Sequence, residues 1–107
     1  MEKIDEIIKS AMENYPEASS GNCLRCLGWN YEKMEFTFLD EETDRRHSIN
    51  LKNLKKGFKI LLKIVEDGKY LNSVGQVPNF LAKNYDWDAQ DYDALVQATI
   101  FGEVIYG

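Results

Sequence analysis

At 107 residues the chain is sized for one domain with a single, modest core. Its 44% hydrophobic and 29% charged residues exclude a disordered chain, and no apolar run approaches the roughly 20 residues of a membrane-spanning helix. A net charge of −5 argues on average against nonspecific nucleic-acid binding, and two cysteines are too few for a disulfide framework.

The first predicted element is a helix. Ile4, Ile7, Ile8, Ala11, Met12 and Tyr15 follow helical spacing, and Pro16 stops it. This start is acidic and amphipathic, unlike a secretion signal, so the expected compartment is the cytoplasm. Glu17 to Asn22 reads as a polar loop. From Leu24 the period changes to two. Leu27, Trp29 and Tyr31 fall on one side, with Arg25 at the start of that row. Met34, Phe36 and Phe38 alternate with Glu35 and Thr37 as a half-buried strand. Asn30 to Lys33 and Asp40 to Asp44 read as turns, and Arg45 to Ile49 as a third strand. Connections this short make an antiparallel meander.

Asn50 is placed to cap a helix over 51–67, with Leu51, Leu54, Phe58, Leu61, Leu62 and Val65 as its buried stripe and Gly68 as its stop. Gly57 inside it costs about 1 kcal/mol relative to alanine, which close packing against a neighbour would explain. Between 69 and 84, Tyr70 to Val74 and Pro78 to Leu81 suggest short helical turns. Asp88 opens a last helix. Tyr92, Leu95, Val96, Thr99 and Ile100 share one face, and Gly102 ends it. Glu103 to Tyr106 is then a terminal strand or docked tail. The expected architecture is α+β: an N-terminal helix, a small antiparallel three-stranded meander, and two or three helices packed on one face of the sheet.

The tail carries a resemblance. Asp88-Ala89, then Asp93, Gln97 and the closing Phe101-Gly102-Glu103-Val104-Ile105-Tyr106-Gly107 resemble the end of a family of small proteins encoded by tailed phages and prophages. That family is also similar upstream, where a strand leads into a helix shaped like Asn50 to Gly57. The likeness covers roughly the last half of the chain, and the tail is its most specific part. The chain departs from the family around Tyr85 to Trp87, where the family is more polar. The resemblance implies a mobile-element origin in a bacterial host cell and nothing catalytic.

Four groups of residues invite a chemical reading. Cys23 and Cys26 form a CxxC, but a redox pair opens a helix after a strand, whereas here a strand-like Leu-Gly-Trp follows. A structural zinc needs four ligands. Cys23, Cys26 and His47, the sole histidine, leave one short, to be made up by Asp44 or a second chain. His47 as a general base has no nucleophile placed beside it by a recognisable motif. Asp86, Asp88, Asp91 and Asp93 could hold a divalent cation but lack the spacing of a calcium loop, and helix-start charges on a solvated face explain their spacing adequately. No cofactor is expected, because phosphate-cradling glycine loops are missing from the sequence.

Charge is strongly segregated. Between Thr43 and Lys63 lie Arg45, Arg46, Lys52, Lys55, Lys56, Lys59 and Lys63 against a single acid, Asp44. The lysines are spaced by three and four and line one stripe, which could neutralise phosphates or simply be the polar face of an amphipathic helix. From Asn84 onward there are five acids and no base. The first expectation is a non-enzymatic accessory protein that binds a protein partner, or itself, through Asp86, Trp87, Asp88, Asp91, Asp93 and Glu103. The alternatives are a nucleic-acid-binding accessory protein using the lysine stripe and a zinc or redox protein built on the CxxC.

Overall fold

The computed structural model describes residues 3–13, 24–68, 81 and 89–105. Pro16, the 17–22 loop, Cys23, the segment 69–80 and the stretch 82–88, which holds Asp86, Trp87 and Asp88, lie outside the described residues. The elements run α1 (Lys3–Glu13), β1 (Leu24–Asn30), β2 (Glu35–Asp40), β3 (Arg45–Ile49), α2 (Leu51–Glu66) and α3 (Ala89–Phe101). The three strands pair antiparallel in the order β1-β2-β3, and the helices pack on one face of that sheet, as the hydrophobic periods require.

Both hairpin loops are four residues long and close on a residue at positive φ, Met34 and Asp44. Aspartate tolerates that conformation well. Methionine does so less readily, and Met34 is held there with its side chain buried in the core. Met34 is therefore the last turn residue, not the first of β2. The Asp40 carbonyl accepts from the Asp44 N–H at 2.7 Å, and its carboxylate accepts from the Glu42 N–H at 3.0 Å.

The register of β1 corrects the side-chain rows read from the sequence. Cys26 lies opposite Phe38, but Gly28 lies opposite Thr37, so Leu27 is the extra residue of a β-bulge. A bulge shifts side-chain alternation by one. Arg25 stays on the outer face opposite Leu39, while Trp29 moves onto the core-side row opposite Phe36. Arg25, Leu27, Trp29 and Tyr31 thus do not share one row.

Helix α2 is capped reciprocally. The Asn50 carboxamide oxygen accepts from the Asn53 N–H, and the Asn53 oxygen accepts from the Asn50 N–H, each at 3.0 Å. Gly68, at φ 74°, ends the helix. Leu54, Phe58, Leu61 and Val65 point into the core, where they meet Ile7, Ile8 and Met12 of α1 and Phe36 and Phe38 of β2. Gly57 is buried where α2 crosses α3: a Cβ built there would lie 2.6 Å from the Thr99 Cα.

Helix α3 differs most from its sequence reading. Every side chain from Asp91 to Ala98 is buried, which covers the full circumference of the helix. It is a core helix, as its dense apolar pattern suggests, but over 91–98 it keeps no solvated acidic edge. Asp91 is 0% exposed, Asp93 5% and Gln97 0%. Gln97 donates from Nε2 to the Asp93 carboxylate and accepts the Ile105 N–H on Oε1 at 2.8 Å. The tail past Gly102 is docked through this amide and forms no strand as far as Ile105. Val104 packs against the core.

Candidate functional site

The acidic edge expected from the last helix is not assembled as such. Asp91 and Asp93 lie inside the protein, because α3 is enclosed on all sides over 91–98, and Asp93 bonds to Gln97 one turn on. Glu103 is exposed. Asp86, Trp87 and Asp88 fall outside the described residues.

The zinc and redox readings meet a register problem. Cys26 and His47 both lie opposite Phe38, from the two flanking strands. Their backbones are therefore two strand spacings apart, about 10 Å, with a phenylalanine between them on the same face. Zinc would need both ligand atoms within about 2.3 Å of one ion. Among the described residues, no three of His, Cys, Asp and Glu converge on such a point. The His47 ring meets Phe101 edge-on, with centroids 5.8 Å apart, and its Nε2 is buried with no hydrogen-bond partner among the described residues.

Burial pushes the Cys26 thiol above its ordinary range, partly offset by its contact with the Gly28 carbonyl, 3.7 Å from Sγ. An activated thiol needs the opposite shift. In a Cys23→Ser background, Cys26 should alkylate more slowly at pH 8 in the folded protein than in urea, since burial both raises its pKa and shields the thiolate. Equal rates would contradict this and restore a reactive cysteine.

The basic stripe is assembled in part. Lys52, Lys56, Lys59 and Lys63 are exposed and fall within about 60° of arc on α2, at about 100° per residue. Lys55 turns toward α1, its ammonium 3.3 Å from the Asp5 carboxylate, and Lys63 lies 3.5 Å from Asp67. Asp5, Leu51, Lys52, Lys55, Lys56 and Lys59 frame a shallow groove of about 460 Å³, with no aromatic side chain among the described residues of its lining. Arg45 and Arg46 are both exposed but do not extend the stripe together. Strand alternation sends them to opposite faces of β3, Arg45 opposite Asp40 and Arg46 opposite Leu39.

A second surface forms at the β1–β2 hairpin, and sequence reasoning found only its aromatics. Leu27 and Trp29 are exposed, Trp29 at 53%, and the turn residue Tyr31 is also exposed. An aromatic chain runs outward from the core: Phe38 stacks on Phe36 at 6.4 Å, Phe36 meets Tyr31 edge-on at 6.0 Å, and Tyr31 meets Trp29 at 6.5 Å. The Tyr31 hydroxyl donates to the Glu13 carbonyl and lies 3.3 Å from that of Met12. These are among the last carbonyls of α1, which have no partner within the helix. The ring is thereby fixed between hairpin and helix. Beside it opens a groove of about 560 Å³ lined by Glu6, Lys9, Glu13, Tyr31, Glu32 and Met34. The signal for it is the odd placement of Trp29 and Tyr31 at a turn, though their pairing with α1 is a tertiary fact.

Among the described residues no helix is long and apolar enough to cross a membrane. Compared with protein-family models, with curated proteins and with solved structures, the chain finds no match.

Proposed function

We propose that this is a non-enzymatic accessory protein that engages a protein partner through the hairpin end of its sheet. The observation that carries this reading is the exposed aromatic pair Trp29 and Tyr31, in contact with each other and anchored by the bond from Tyr31 to the end of α1, with Leu27 exposed on the same strand. Exposed, preorganised aromatics are the residues that dominate protein interfaces. The distance between Cys26 and His47 and the raised thiol pKa weigh against the zinc and redox alternative. The resemblance of the 88–107 tail to phage and prophage proteins supports placing this partner in the cytoplasm of a bacterial host.

The lysine face of α2 supports a second reading, nucleic-acid binding through Lys52, Lys56 and Lys59. The described lining of that groove offers lysine contacts to phosphate rather than aromatic faces for base stacking.

Capture from bacterial lysate with tagged protein, with and without nuclease, separates the two. The first reading expects a discrete protein retained after nuclease by the wild type and lost with Trp29→Ser. Material that disappears with nuclease and is indifferent to Trp29→Ser would move the assignment to the lysine face.

A further inference from the structure

We infer that the groove beside Tyr31 takes a basic, partly apolar linear segment of a partner protein, with a lysine or arginine side chain seated among Glu6, Glu13 and Glu32 and an apolar one against Trp29. This rests on the hairpin being the binding surface and specifies what it binds. Among the described residues the groove carries three carboxylates against one ammonium, Lys9, and none of the four makes an ion pair with another described residue. Tyr31 and the buried Met34 are the apolar part of its described lining. Carboxylates attract a cation through charge and charge-assisted hydrogen bonds, and the apolar lining suits the stem of a lysine or arginine side chain. The same carboxylates repel phosphates, so the site is unsuited to nucleic acid or an acidic peptide.

The protein's own basic surface is a poorer occupant. A groove of about 560 Å³ holds a few side chains, whereas Lys52, Lys56, Lys59 and Lys63 lie along a 16-residue helix. Joining one protomer's helix to another's hairpin would also be a head-to-tail contact, which closes only if the rotation happens to form a ring. The anchor is preformed, since Tyr31 is already bonded to α1, so little ordering opposes binding of a short segment.

Selection of displayed random dodecapeptides against the folded protein tests this directly. The Glu13→Lys/Glu32→Lys double variant and Trp29→Ser serve as separate counter-targets, each checked for native circular dichroism. The expected result is enrichment of peptides that combine lysine or arginine with large apolar residues. Their affinity should fall at least about tenfold on charge reversal and also on loss of Trp29. Recovered peptides that need Trp29 but are neutral or acidic, or that tolerate the charge reversal, would overturn the basic-segment inference and leave the binding surface standing. If no recovered peptide depends on Trp29, both fall. Sedimentation of the protein alone completes the test: self-association abolished by the double variant would give the groove to a second copy and overturn the inference.

Discussion

Replacing Gly57 with alanine is expected to destabilise the protein by about 1–3 kcal/mol, the usual cost of an extra carbon in a packed core, even though alanine is the better helix former by about 1 kcal/mol. The added Cβ would lie 2.6 Å from the Thr99 Cα and 2.7 Å from its Cβ. The first of these is backbone and has no rotamer to escape into. The Thr99 hydroxyl is itself engaged, donating to the Leu95 carbonyl at 2.7 Å, so the side chain is also held. Helices α2 and α3 would have to separate, loosening the core around Leu61 and Leu95. Thr99→Ala in the same chain should fail to restore stability, because the backbone obstacle remains. Urea unfolding measures both. A Gly57→Ala protein as stable as the wild type would contradict the close crossing.

Gln97→Leu should cost about 1–3 kcal/mol, the range for deleting one partner from a buried hydrogen-bonded set. The substitution removes the donor to the Asp93 carboxylate and the acceptor of the Ile105 N–H together. It should also release the tail, read as faster amide exchange at Ile105 with little change in the exchange of α2. Gln97→Glu separates shape from charge. It keeps an oxygen for Ile105 but sets a second carboxylate against that of Asp93 inside the protein. Burial and like charge raise the pKa of the introduced group above its unfolded value of about 4.3. The stability of this variant relative to wild type is therefore least impaired below that value. It falls as pH rises through the folded-state pKa. A pH-independent difference between the two proteins would contradict the buried pairing.

The parts of the fold that depend on local pattern are legible in the sequence. Ile4, Ile7, Ile8, Ala11 and Met12 suffice to place α1, and Asn50 and Gly68 bracket α2 as capping chemistry requires. Gly57 announces a close approach by its cost alone. Two features are hidden because they depend on what lies across from them. The bulge at Leu27 leaves no mark in the alternation of β1, yet it transfers Trp29 to the other face. In α3, Asp91, Asp93 and Gln97 look like a solvated face, since polar residues are mostly outside. What reverses the inference is that Asp93 and Gln97 stand four apart and bond to each other, and that the small Ala94 and Ala98 admit close neighbours. The candidate site is hidden for a similar reason. Glu6 and Glu13 belong to α1 and Glu32 to a hairpin loop, and they meet only because Tyr31 ties the two together.

Hydroxyl-radical footprinting of the protein, alone and after capture of its partner from lysate, tests the central claim most directly. Binding at the hairpin predicts protection of Leu27, Trp29 and Tyr31 while Lys52, Lys56 and Lys59 on α2 keep the reactivity they have in the isolated protein. Unchanged oxidation of Trp29 and Tyr31, with protection confined to α2 and removed by nuclease, would contradict it and assign the protein to nucleic acid.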